Sequence, residues 1–122
     1  MPAPVVLVHR DRDYLTQAAE ALRATGLPVA AFWDSLAALN ALERAETSEV
    51  LVTLLDLPNG MPNGLSLALV AKSKRPRLKV LFLAEPEMVR HVEQQTGTRY
   101  LPTTTPPMDS VISAVEDMMR GD

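Results

Sequence analysis

Short apolar runs, each followed by a helix-length amphipathic stretch, recur from one end of this chain to the other. The runs are PVVLV (4–8), PVAAFW (28–33), EVLVTLL (49–55) and KVLFLA (79–84), with a weaker fifth, TRYLP (98–102). They are β-branched or aliphatic, bounded by Pro, Gly or charge, and show no polar alternation, as expected of strands buried on both faces. In DYLTQAAEALRATG, residues Leu15, Ala18, Ala19 and Leu22 share one face and Gly26 closes the helix. Asp34 and Ser35 are expected to cap LAALNALERAE, and Asn63 to cap GLSLALVAKSK, which must stop before Pro76. EMVRHVEQQTG reads as a short polar helix. Asp109 is expected to cap SVISAVEDMMRG, whose Val111, Ile112, Val115, Met118 and Met119 form a core-facing stripe. The methionine pair reads as core filler.

A fivefold βα pattern implies an α/β domain with a parallel sheet and right-handed crossovers. The common five-strand solution is the doubly wound, flavodoxin-like order 2-1-3-4-5, with its functional crevice at the carboxyl ends of strands 1 and 3. A chain of 122 residues fits one such domain, 1–122, and no repeat or linker divides it.

Composition removes several function classes. With 47% hydrophobic and 22% charged residues the chain is globular in character. A net charge of −3 argues against a nucleic-acid surface. The densest basic cluster, Lys72, Lys74, Arg75, Arg77 and Lys79, surrounds a proline and reads as a solvated helix end. There are no cysteines, hence neither disulfides nor thiolate metal sites. The opening MPAPVVLVHRDRD reaches charge too soon for a signal peptide or membrane span, so a soluble cytoplasmic protein without membrane association is expected.

The residues leaving the strands are where chemistry belongs. Strand 1 delivers His9, Arg10 and Asp11; strand 3 delivers Thr53, Leu54, Leu55 and Asp56; strand 4 delivers Ala84 and Glu85; strand 5 delivers Pro102, Thr103 and Thr104. Over essentially its whole length this layout resembles the CheY-like receiver domain of two-component response regulators. VVLV-HRD-RDYL occupies the frame of the family's strand followed by an acidic pair. EVLVTLLDLPNGMPNGLSLA follows its D-L-V-x-T-D-x-x-[LM]-P-…-G-L-x-L-A segment, KVLFLAE resembles PVIFLTA, and GTRYLP with its threonines resembles GAxxFLxKP. The resemblance implies a Mg²⁺ site of carboxylates, a phosphoacceptor aspartate on strand 3, a hydroxyl on strand 4 and a lysine before a strand-5 proline.

At nearly every one of those positions this sequence departs from the family. His9 and Arg10 stand at the acidic pair, Leu54 at the phosphoacceptor, Ala84 at the hydroxyl and Thr103 at the lysine (Thr104 if the loop carries one insertion). Only Asp11 keeps a carboxylate, so Mg²⁺ binding is expected to be lost and no cofactor is implied. Arg10 is a candidate to fill the metal's space and pair with Asp11 or Asp56. In a shifted frame Asp56 becomes the phosphoacceptor, although the shift restores none of the other groups. His9 has no serine–acid partners for catalysis, and NGMPNG lacks the lysine of a phosphate-binding loop.

The expectation is a non-enzymatic pseudo-receiver that signals by protein–protein contact, with a signalling protein or histidine kinase as partner. By the resemblance its contact face is helix 4, strand 5 and helix 5, including Tyr100 at the family's switch aromatic, with Met88 and His91. Two other readings stand beside it: a phosphorylatable receiver using Asp56, and a flavodoxin-like domain binding a small ligand at the switch point through loop N–H groups and Arg10.

Overall fold

A computed structural model describes residues 4–44, 48–55, 64–89 and 98–120. Strands β1 (Val5–Val8), β2 (Val29–Phe32), β3 (Val50–Leu54), β4 (Lys79–Leu83) and β5 (Thr98–Leu101) form one five-stranded sheet in the order β2-β1-β3-β4-β5. Every neighbouring pair is parallel, with Val8 opposite both Phe32 and Thr53, Leu54 opposite Leu83, and Leu83 opposite Leu101. This is the doubly wound order expected from the apolar runs.

The helices are α1 (Arg12–Ala24), α2 (Ser35–Arg44), α3 (Gly64–Lys74), the short α4 (Pro86–Val89) and α5 (Met108–Met119). Helices α1 and α5 pack side by side, as do α2 and α3, and right-handed crossovers put the two pairs on opposite faces of the sheet. The central strands are therefore covered on both sides, and Val5–Val8, Val50–Leu54 and Val80–Leu83 are all buried. Fully burying one such aliphatic side chain contributes roughly 1.5–3 kcal/mol, which makes these strands the main source of stability. The α1 stripe is buried as expected, with Tyr14 added to it, and Gly26 takes a φ of +96° as α1 ends. Among the described residues no helix is long and apolar enough to cross a membrane.

Two capping expectations need correction. Asp34 does cap α2, its Oδ1 accepting the Leu36 N–H at 2.9 Å, but Ser35 is buried as the first helical residue and its Oγ has no partner among the described residues. Helix α5 is entered from Pro107, with no side-chain cap; Asp109 lies inside the first turn. The Pro106–Pro107 pair dictates this entry, because proline's restricted φ (−55° at Pro107) already suits the helix start. Asp109 then acts through its charge near the helix N-terminus. The expected cap Asn63 lies outside the described residues.

One backbone approach fixes where α3 begins. Gly64 donates its N–H to Leu55 O at 2.9 Å, and a Cβ placed on Gly64 would lie 1.6 Å from Leu54 O. No side chain fits there unless the helix retreats from the strand. Gly64→Ala is therefore expected to destabilise the protein by about 1–3 kcal/mol or more, read as a lower urea midpoint. Gly64→Ala unfolding at the wild-type midpoint would show that the helix start can shift freely.

Candidate functional site

The carboxyl ends of β1, β3, β4 and β5 bring His9, Leu54, Ala84 and Thr103 to one edge of the sheet. The expected residues thus converge on the switch-point edge.

His9 is the centre of that edge. Its backbone N–H continues the sheet by donating to Phe32 O at 3.1 Å, and its ring is buried, with 1% exposure. Nε2 lies 2.6 Å from Thr104 O, a carbonyl that can only accept, so Nε2 carries the proton. Nδ1 then accepts the Asp11 N–H at 3.0 Å. The ring also lies 4.7 Å from the Tyr14 ring, and the Tyr14 hydroxyl donates to Pro106 O at 2.6 Å. Together His9 and Tyr14 bind the start of α1 to the Thr104–Pro106 loop ahead of α5. Burial holds the His9 pKa below 6.5, opposed by the Thr104 carbonyl and the Asp11 charge. Burial also pushes the Tyr14 phenol up to about 12.

Asp11 uses its carboxylate at home. Oδ1 accepts the Asp13 N–H at 3.0 Å and the Tyr14 N–H at 3.1 Å, making Asp11 the N-cap of α1. The proposed Arg10–Asp11 pair is not formed: Arg10 is exposed, and among the described residues it has no ion pair. The physical reason is the cap, which turns Asp11 back over its own helix. Asp56, the other candidate partner and alternative acceptor, lies outside the described residues.

Leu54 is fully buried, and Thr53 beside it donates its hydroxyl to Leu54 O at 3.0 Å. Ala84 is buried, its N–H donating to Leu101 O at 3.2 Å. Thr103 is half-buried, and its Oγ1 accepts the Thr105 N–H at a long 3.3 Å. Mg²⁺ takes several oxygen ligands in octahedral geometry, and of these residues Asp11 alone brings a carboxylate. Both His9 nitrogens are engaged and Asp11 Oδ1 is committed to the cap. Among the described residues no three His, Asp or Glu side chains come together to hold a metal.

Solved structures with this architecture are numerous. A response regulator receiver protein from Sinorhizobium medicae superposes with a TM-score of 0.82 at 17% identity, over 95% of this chain and 93% of that one. The receiver domain of the hybrid histidine kinase CckA gives 0.78 at 24% identity, over 94% and 97%. The chemotaxis protein CheY4 of Vibrio cholerae gives 0.79 at 16%, over 97% and 99%. The fold is that of a receiver domain. No protein-family model matches the sequence, and no curated protein matches it.

On the candidate contact face, the Tyr100 ring stacks on Phe82 with centroids 5.4 Å apart. Its hydroxyl is buried without a partner among the described residues, and burial raises its pKa. Neighbouring Arg99 points the other way, toward Asp117 of α5 at 3.8 Å. Met88 lies in α4, whereas His91 lies outside the described residues.

Sequence reasoning missed Tyr14 and the carbonyls of Thr104 and Pro106. Tyr14 was discoverable, because it lies at i−4 from Ala18 on the buried face of α1.

The His9 clamp predicts a pH dependence. A folded-state pKa below the unfolded 6.5 means the unfolded chain binds more protons, so stability is full above pH 6.5 and falls as the pH drops toward the folded value. His9→Phe keeps a ring but strands the Asp11 N–H and Thr104 O, at about 1–3 kcal/mol for each group left buried and unpaired. It is expected to lower the melting temperature at pH 7.5 and to flatten its slope between about pH 5 and 6.5. Equal slopes in the two proteins would remove His9 from the account. Tyr14→Phe is expected to destabilise by about 1 kcal/mol in a urea titration, because Pro106 O loses its donor.

Proposed function

We propose that this chain is a pseudo-receiver: a module of two-component or phosphorelay signalling that works through protein contact and carries no phosphoryl group itself. One observation carries the reading. The edge where receivers perform their chemistry is here closed by a buried leucine, an alanine and a neutral histidine with both nitrogens engaged.

Phosphoryl transfer needs a nucleophile and a high positive charge density to neutralise the oxygens in flight. Leu54 has no nucleophile and Ala84 has no hydroxyl to hold a transferred group. Thr103 lacks the ammonium that would pair with it. Asp11 is committed to capping α1. Neither Mg²⁺ nor an enzymatic activity belongs to this reading.

The partner is a signalling protein, of the kind represented by the hybrid histidine kinase among the similar structures. The contact face is α4, β5 and α5, with Tyr100 at its centre. Tyr100 lying against Phe82 gives that face a conformation set by packing.

Mass spectrometry after incubation with acetyl phosphate and Mg²⁺ tests the proposal, on wild type and on Asp56→Asn. No phosphoryl adduct and no change in Trp33 fluorescence are expected. An adduct on wild type that vanishes in Asp56→Asn would establish Asp56 as acceptor and replace this reading with a phosphorelay one. For the contact face, Tyr100→Ala should weaken capture of whichever kinase wild type retains, by about tenfold or more. Undiminished capture would move the interface elsewhere.

A further inference from the structure

The opposite edge of the sheet carries a cavity of about 750 Å³ at the amino ends of β3 and β4, walled by the turn after α3 and the end of α5. Its volume falls in the range of about 300–1,000 Å³ usual for small-molecule sites. Arg75, Arg77, Lys79 and Glu49 line it, with Met118 and Met119 supplying apolar wall. The basic cluster is the helix end and connection that the sequence suggested, with Lys74 and Arg77 exposed, and part of it lines this cavity.

Its charges are unequally used. Lys79 donates its ammonium to Met118 O, and Lys72 donates to Leu78 O at 2.8 Å, so these two lysines answer carbonyls near the ends of α5 and β4. The arginines differ. Among the described residues neither Arg75 nor Arg77 has an ion pair, although the Glu49 carboxylate borders the same cavity. Arg75 Nη1 is buried with no acceptor. Arg75 as a whole is only partly buried, and an arginine on a cavity wall without an ion pair is a natural partner for an anion. The turn bearing both arginines is held by Arg75 N–H to Ala71 O at 2.9 Å and Leu78 N–H to Arg75 O at 3.0 Å. The cationic wall is therefore positioned before any ligand arrives. Beside it the partly buried Met119 thioether, a flexible side chain, adapts readily to an apolar group.

We propose that this cavity binds a small organic anion, a carboxylate or phosphate monoester with a short apolar tail. The head lies against Arg75 and Arg77, and the tail against Met119, which Met118 backs from the core. The site is remote from His9 and Leu54 and does not rest on the pseudo-receiver reading.

The test is an NMR titration of the full chain labelled at its methionine methyls, with hexanoate, hexyl phosphate and hexanol as probes. Saturable shifts at Met118 and Met119 are expected with at least one anion, with Met1, Met61, Met88 and Met108 unmoved. Response to one anion alone identifies the head group; response to both assigns the shared charge. Hexanol should bind at least about tenfold more weakly than the better anion. The Arg75→Gln/Arg77→Gln double variant should weaken anion binding by about tenfold or more, leaving hexanol unchanged. If that variant does not fold, wild type serves: raising NaCl to about 0.3 M must weaken anion binding, as screening requires. No saturable shift with either anion, equal affinity for hexanol, equal affinity in the folded variant, or indifference to salt would each overturn the site.

Discussion

In a parallel sheet covered on both faces, a backbone N–H or C=O that runs off a buried strand must find a partner within the protein or reach water. Here the endings are closed in sequence. His9 N–H reaches Phe32 O, Leu55 N–H reaches Leu83 O, Ala84 N–H reaches Leu101 O, and Gly64 N–H returns to Leu55 O. The His9 ring then ties off the last of these endings through Thr104 O. In this molecule the switch-point edge is a set of backbone closures first, and whatever function it has is built around them.

That ordering of priorities explains the chemistry. A cluster of carboxylates at this edge would stay charged only with a cation to hold it together. His9 instead places one neutral ring at this edge, and the ring bridges two backbone groups. Leu54 and Ala84 extend the hydrophobic interior up to the rim. Charge lies on the outer side of this edge, where Arg10 is exposed and the Arg12 guanidinium sits 4.6 Å over the Trp33 ring.

The sheet order, all five strands and the α1 stripe were legible because burial on two faces leaves a strong one-dimensional trace: uninterrupted β-branched runs with helical periodicity between them. Cap assignments were less so. Asp109 has the right chemistry for a cap, but Pro107 settles the helix entry through its ring geometry. At the site, the sequence pointed to His9, Leu54, Ala84 and Thr103 but not to their roles. The His9 acceptor is a backbone carbonyl, and any residue at position 104 except for its conformation would offer the same atom. Asp11 read as a remnant ligand because nothing local distinguishes a metal-binding carboxylate from a capping one. The basic cluster read correctly as a helix end, but the cavity beside it was not legible, because its far wall is the end of α5, which folds back from the far end of the chain.

The two bonds that fasten α1 to the loop before α5 join residues 95 and 92 positions apart in sequence, His9 to Thr104 and Tyr14 to Pro106. Closing a flexible loop of that length costs on the order of 4 kcal/mol of chain entropy, far more than either bond returns. Neither can nucleate folding; both become favourable only after the sheet has already gathered the two ends of the chain. They therefore belong to the descent after the transition state, and their contribution falls on the lifetime of the folded molecule more than on the speed with which it forms.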